Sequence, residues 1–194
     1  MIKAKRIAIA GATGMVGKTF LTLLEDRFFP NAEIDLLASE KSEGKTVTLR
    51  GKEHVIQNLS KYDFSNTDLA LFSAGASVSA EFAPKAVSQG CVVVDNSSCF
   101  RYEESIPLIV PEVNGDQLMN LDLPIIIANP NCSTIQMLVA LKPIHDEFNI
   151  ERIDITTLQA VSGTGKEATE ELLDQLSTYT VSYTHLTLPT IMPV

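Results

Sequence analysis

Residues 6–20, "RIAIAGATGMVGKTF", decide the fold. The run at 6–10 has strand length and the pattern after Gly14 is helical, so Gly11, Gly14 and Gly17 mark a strand-to-helix turn. Each glycine has its own task if that turn cradles a dinucleotide. Gly11 permits the tight turn, Gly14 lets the backbone approach a pyrophosphate, and Gly17 lets helix and strand pack closely, with the phosphates facing the helix N-terminus. Thr13 adds a hydroxyl donor. The plain alternative, a turn that merely joins strand to helix, has little need of three glycines at this spacing.

Outward from this turn, strand-length runs alternate with helical patterns: "AEIDLLAS", "DLALFSA", a helix around "SAEFAPKAVSQG", "CVVVDNS", and the short runs "PLIVPEV" and "LPIIIANP". The alternation predicts parallel βαβ units, hence an α/β chain with a doubly wound, Rossmann-type sheet. Residues 46–58, "TVTLRGKEHVIQN", alternate around Gly51 and Lys52 and predict a peripheral hairpin. From Cys132 the pattern changes to a helix with a bend or break at Pro143, a long strand "IERIDITTLQAV" over 150–161, and a further helix from Lys166. We therefore expect a dinucleotide-binding domain over residues 1–128, the truncated start of an α+β catalytic and dimerisation domain over 129–180, and a tail over 181–194.

Composition narrows the partners. The 194 residues carry 15 Lys and Arg against 24 Asp and Glu, a net charge of −9 that disfavours nucleic acid and acidic membranes and leaves a small molecule. No apolar run approaches the roughly 20 residues of a membrane span, and "MIKAKRIAIAGATG" enters a strand with no room for a signal peptide, so the expected location is cytoplasmic. Cys91, Cys99 and Cys132 lack C-x-x-C spacing, which argues against disulfides and zinc, and the histidines are unclustered, so no metal is expected.

The end of the second strand discriminates between dinucleotides. It reads "LLASEKSEGK", where Ser39, Lys41 and Ser42 offer donors suited to a 2′-phosphate, whereas Glu40 would hold a free 2′-hydroxyl or face solvent. The donors favour NADP. Farther on, "IIIANPNCSTIQM" places Cys132 at or just inside a helix N-terminus. The positive helix end and its open N–H groups favour a thiolate and offer donors to a substrate oxyanion, with Asn131 as a further side-chain donor. Free cysteines are also commonly inert core residues, and the residues alone leave Cys132 between the two readings. Cys91 in an apolar strand and Cys99 in a loop read as inert.

"GATGMVG", "LFSAGASVS", "VVVDNSSCFR", "PLIVPEVN", "NPNCSTIQM" and "LQAVSGTGKEA" occur in the order and spacing of the aspartate-semialdehyde dehydrogenase family, which the chain resembles as far as about residue 178. The resemblance implies NADPH-dependent reduction of aspartyl phosphate to aspartate semialdehyde, on the route to lysine, threonine and methionine, through a thioester on Cys132. It implies substrate orientation by Gln159 and phosphate binding by Arg101, a task suited to a planar fork of donors. Cofactor contacts are implied for Gly11, Thr13, Gly14, Met15, Val16, Gly17, Ser73, Ala74, Gly75, Asn96, Ser162 and Gly163. Read alone, Gln159 is an ordinary polar residue, Arg101 a solvated loop arginine, and the Ser, Gly and Asn positions turn chemistry. N-acetyl-γ-glutamyl-phosphate reductase shares the glycine turn and a catalytic cysteine, but usually has glycine before that cysteine and a different run after it.

Members of the resembled family are far longer, form homodimers through the second domain, and place a base histidine, a substrate arginine and a glutamate there. None of these is carried over. His145, beside Asp146 and Glu147, reads as part of a solvated face. The tail "VSYTHLTLPTIMPV" departs from the family pattern, and its start reads like translated sequencing-adapter DNA. A non-catalytic NADP-binding fragment is the alternative class: the intact "NPNCST" favours enzyme descent, whereas the absent base predicts that the 194-residue chain by itself is inactive.

Overall fold

The computed structural model describes residues 4–26 and 28–181. They form two compact units, one up to Ile155 and one from Thr156 on. In the first, the strands β1 (Arg6–Ala10), β2 (Glu33–Ala38), β3 (Thr46–Leu49), β4 (Lys52–Asn58), β5 (Leu69–Phe72), β6 (Val92–Asp95) and β7 (Ile126–Ala128) lie in the order β3-β4-β2-β1-β5-β6-β7. Neighbours pair in parallel except β3, which is antiparallel to β4.

The central strand explains the two-layered cover. Ile7 and Ile9 join a core cluster with Leu21 and Leu24 of helix α1 (Met15–Asp26), while Ala8 and Ala10 join another with Ala83 and Ala86 of helix α2 (Ala76–Ser88). Ile7, Ala8, Ile9 and Ala10 are all fully buried. Period-two alternation thus sends large residues to one face and small ones to the other, and cover on both faces makes the strand read as a continuous apolar run. The chain steps from β1 to β2 on one side and to β5 on the other. The C-terminal ends of β1 and β5 therefore flank the switch point at which doubly wound sheets bind ligands.

The hairpin over 46–58 forms, with Arg50 and Gly51 both in the left-handed region at φ 54° and 70°. Only β3 is peripheral, because β4 pairs with β2 through Leu36 and Ile56 and Ile56 is buried. The Arg50 guanidinium donates to the carbonyls of Leu24 and Phe28, which fastens the hairpin turn to the end of α1.

Three expectations change. "PLIVPEV" gives no strand: Leu108 makes a single bridge to Ala128, and Pro111–Asn114 form the one-turn helix α3, since Pro111 has no N–H for a ladder and suits a first helical position. Helix α4 (Cys132–Phe148) runs through Pro143 without a break. Val139, whose carbonyl loses its donor there, is exposed, so water can take the donor's place. The strand over 150–161 does not form: residues 151–160 have no regular structure, and Ile153, Ile155 and Leu158 are exposed. A strand exists only through its ladder, and among the described residues none pairs with it.

In the second unit a short 3-10 turn, Val161–Thr164, precedes helix α5 (Lys166–Val181), on which Leu172, Leu173, Leu176 and Tyr179 are exposed. The tail from residue 182, with His185, lies outside the described residues. Among the described residues no helix is long and apolar enough to cross a membrane and no cluster of ligating side chains could hold a metal ion.

The three thiols differ in environment. Cys91 is fully buried, and burial first, then the Asp68 charge, pushes its thiol up to about 12. Cys99 is half-buried and is also raised, by burial first and then by Asp95 and Glu103. The folded pKa of Cys91 lies above its unfolded value, so its contribution to stability is complete below the unfolded thiol pKa and is lost as pH rises toward 12. Thiol labelling at about pH 8, just below the unfolded thiol value, should modify the exposed Cys132 first and leave Cys91 untouched until the chain unfolds. Native-state labelling of Cys91 as fast as Cys132 would contradict this packing.

Candidate active site

At the end of β1 the chain turns at Gly11 with φ +88°, a conformation that side chains rarely adopt. The N–H groups of Gly11 and Ala12 both donate to the Leu37 carbonyl, at 2.9 and 3.2 Å, pinning the turn to β2. A Cβ on Gly11 would stand 2.7 Å from the Ser73 carbonyl oxygen, and one on Gly17 would stand 2.2 Å from the Gly11 carbonyl oxygen and 2.8 Å from Ala12 Cα. Gly17 therefore closes α1 onto the turn, as its spacing predicts. Gly14 has more room, with its Cβ position 3.3 Å from the Gly11 carbonyl oxygen. Thr13, Met15 and Val16 are exposed around it. No acidic residue occupies the first turn of α1, so its positive end is uncompensated and suits an anion.

The neighbouring loops approach the same edge. Ser73 N donates to the Ala10 carbonyl at 2.9 Å, and the Ser73 hydroxyl is buried without a partner among the described residues. Ala74 follows, and Gly75, at φ +93°, caps α2. A buried hydroxyl lacking a partner calls for one, and beside a glycine turn closed to a Cβ at Gly11 and Gly17 it fits a phosphate-bearing cofactor. After β2, Ser39 and Lys41 are exposed and Ser42 is half-buried. Lys41 has no ion-pair partner among the described residues. Glu43 next to them is occupied, accepting from Asn58 and Lys61, which in that order hold its carboxyl below the usual range.

The ends of β6 and β7 carry the rest. Asn129 N donates to the Asp95 carbonyl at 2.8 Å and Asn129 Nδ2 to Asn96 Oδ1 at 2.6 Å. Arg101 Nε donates to the Asn129 carbonyl at 2.9 Å and Nη2 to the Asn96 carbonyl at 3.1 Å. Arg101 is thus a braced side chain rather than a solvated one. Cys132 opens α4 and is exposed. Asn131 is the N-cap, its Oδ1 accepting from Ser133 N at 3.0 Å and from Ser133 Oγ at 2.6 Å. The cap occupies that oxygen and leaves Nδ2 as the Asn131 donor.

The first unit thus gathers the glycine turn, the Ser39–Ser42 and Ser73–Gly75 loops, Asn96, Arg101, Asn131 and Cys132 at the C-terminal edge of one sheet. Gln159, Ser162 and Gly163 belong to the second unit. There Gln159 is exposed and donates through Nε2 to Thr157 Oγ1 at 3.1 Å, and Ser162 and Gly163 form part of the Val161–Thr164 turn. Sequence reasoning passes over Asp95 and Asn129. Their signal is position, since each stands at or just past the C-terminal end of a strand, where parallel sheets present groups to ligands.

Residues 6–121 match the family profile described as semialdehyde dehydrogenase, NAD binding domain. The chain belongs to the semialdehyde dehydrogenase family. A second semialdehyde dehydrogenase profile, the dimerisation domain, matches residues 141–192 and so reaches into the tail. An aspartate-semialdehyde dehydrogenase of Legionella pneumophila is 57% identical over 176 residues, which cover 91% of this chain and 51% of that relative. The crystal structure of aspartate semialdehyde dehydrogenase II complexed with ASA from Vibrio cholerae superposes with a TM-score of 0.87 at 52% identity, covering 94% of this chain and 55% of that one. The enzyme of Candida albicans with NADP matches at a TM-score of 0.67 and 32% identity, covering 82% and 52%. The chain spans about half the length of the curated relatives it matches. Within this semialdehyde dehydrogenase chain, the glycine turn, Asn96 and Arg101 fall in the NAD-binding profile, Gln159 falls in the dimerisation profile, and Cys132 stands between them.

Proposed function

We propose that the chain is the cofactor-binding and nucleophile-bearing part of an aspartate-semialdehyde dehydrogenase, which reduces aspartyl phosphate to aspartate semialdehyde and phosphate with NADPH, in lysine, threonine and methionine biosynthesis. The observation that carries this reading is the placement of Cys132, exposed at the first position of α4, on the same sheet edge as the glycine turn and the braced Arg101. Residues 1–128 then act as the NADP-binding domain and 129–180 as the start of the catalytic domain. The dimerisation profile supports a homodimer, and three unpaired thiols in an acidic chain support work in the cytoplasm.

Cys132 Sγ attacks the acyl carbon of the substrate, its proton passing to the base histidine that the family resemblance places in the second domain. Charge grows on the carbonyl oxygen, and the first-turn N–H groups of α4 that the Asn131 cap does not take, with Asn131 Nδ2, are the donors we assign to it. The bond from carbon to the phosphate oxygen breaks, phosphate departs, and a thioester remains on Cys132, so one hard step becomes two easier ones. Arg101 spends Nε and Nη2 on backbone carbonyls, which fixes the plane of the guanidinium, and Nη1 is the donor we assign to the phosphate. NADPH, when bound, supplies the hydride that converts the thioester to the aldehyde. The family resemblance assigns substrate orientation to Gln159 and cofactor contact to Ser162 and Gly163. The glycine turn takes the pyrophosphate, the Ser73–Gly75 loop and Asn96 meet the nicotinamide half, and Ser39, Lys41 and Ser42 take the 2′-phosphate.

Titration of the chain with NADPH and NADH tests the cofactor assignment. NADPH should bind more tightly, and Lys41→Ala should remove about tenfold of that preference, the effect expected for one ionic hydrogen bond. Equal affinities, or tighter NADH, would contradict it. Because the relatives are about twice as long, the 194-residue chain is expected to bind NADPH without turning over. Robust turnover would show the remaining half to be dispensable.

A further inference from the structure

The carboxylate of Asp95 is fully buried, and the chemistry above gives it no task. It stands at the end of β6, in register with Phe72 of β5 on one side and Ala128 of β7 on the other. Three donors converge on it: Ser79 Oγ on Oδ1 at 2.6 Å, Ser97 N on Oδ1 at 3.2 Å, and Ser97 Oγ on Oδ2 at 2.6 Å. Both hydroxyl contacts are short, so the carboxylate's position is closely set by its two serine partners. Ser79 and Ser97 are themselves buried, at 0% and 8% exposure, and among the described residues no cation pairs with Asp95. Burying an acid without a cation is costly, and an apolar residue would pack there with less loss.

What the three donors connect gives the acid its use. Ser79 lies in the first turn of α2, and its N–H donates to the Gly75 carbonyl at 3.0 Å, so it joins Asp95 to the end of the Ser73–Gly75 loop. Ser97 takes up the other direction: its Oγ accepts from Cys99 N at 3.1 Å, so two successive side-chain turns step from Asp95 through Ser97 to Cys99. Phe100 is then buried and Arg101 is braced on the carbonyls of Asn96 and Asn129. We infer that Asp95 is a positioning residue that holds, through Ser79 and Ser97, both the Ser73–Gly75 loop and the Asn96–Arg101 segment in the geometry that receives the nicotinamide half of the cofactor and the substrate phosphate. The inference rests on the cofactor reading above for what those two segments bind.

Ser97→Ala is the test variant, since it removes the link to Cys99 and one arm of the carboxylate network while Asp95 keeps Ser79. Two ligands are titrated: NADPH, and 2′,5′-ADP, which offers the adenosine end without a nicotinamide. NADPH affinity should fall about tenfold, 2′,5′-ADP affinity should stay within about twofold of wild type, and amide exchange should rise over residues 96–101 but not in β1 or β5. Ser97→Thr, which restores a hydroxyl, should recover NADPH binding. Unchanged NADPH affinity and unchanged exchange would overturn the inference. So would equal weakening of both ligands with exchange raised across the sheet, which is the mark of a merely structural role. A wild-type chain that binds neither ligand would defeat the cofactor reading, and the exchange comparison would still decide whether Asp95 and Ser97 position the segment.

Discussion

Replacing Cys132 with serine should lower turnover by roughly four orders of magnitude or more while leaving NADPH affinity unchanged. The fold gives the substitution no reason to disturb anything else. Cys132 is exposed at the start of α4, and the cap that fixes this helix start belongs to Asn131 and Ser133. A serine hydroxyl there keeps the helix, the cap and the open N–H groups, but near neutral pH it supplies no anionic nucleophile, so the acyl transfer loses its first step. The measurement is best made in a chimera that continues residues 1–178 with the second half of the Legionella relative. Turnover retained at more than about one-hundredth of the parent rate, with the loss of an essential nucleophile as the yardstick, would remove Cys132 from its role.

The second large effect is structural. Gly17→Ala should destabilise the first unit by about 3 kcal/mol, at the upper end of what one added methyl does in a packed interior. The new Cβ would stand 2.2 Å from the Gly11 carbonyl oxygen and 2.8 Å from Ala12 Cα, both backbone atoms, so no flexible side-chain end can yield. The strain is relieved only if α1 moves off the turn, and α1 carries Leu21 and Leu24 into the core around Ile7 and Ile9. A urea titration reads this as a lower midpoint. Gly14→Ala is the control: its Cβ would meet the Gly11 carbonyl oxygen at 3.3 Å, so stability should hold to within about 1 kcal/mol while cofactor binding weakens. A Gly17→Ala chain as stable as wild type would mean that helix and turn are not closed as described.

What could be read from the sequence was local. The tasks of Gly11 and Gly17 follow from spacing within one turn, and the structure gives both the close contacts expected of them. The hairpin was legible because Gly51 and its neighbours fix it over a dozen residues, whereas the membership of β4 in the main sheet depends on pairing with β2, which no local pattern announces. The failed strand over 150–161 makes the same point from the other side, since its apolar alternation describes a half-buried face and the ladder that would use it lies elsewhere. Pro143 carries a penalty in any helix, yet a helix already eleven residues long at that point continues past it. Asp95 was hidden for a different reason. In "VVVDNSS" it reads as a polar strand end, and one of its partners in the fold is Ser79, sixteen residues away on a packed helix.

If Cys132 is acylated by an acyl phosphate, the thioester can be caught on the protein. The chimera is incubated with aspartyl phosphate, made in place from aspartate and ATP by a kinase, with NADPH left out, and the digested protein is mapped by mass spectrometry. One aspartyl group, released by hydroxylamine, should appear on the peptide that carries Cys132. Acylation at Cys99 instead, or no acylation in a chimera that binds NADPH and turns over, would contradict it.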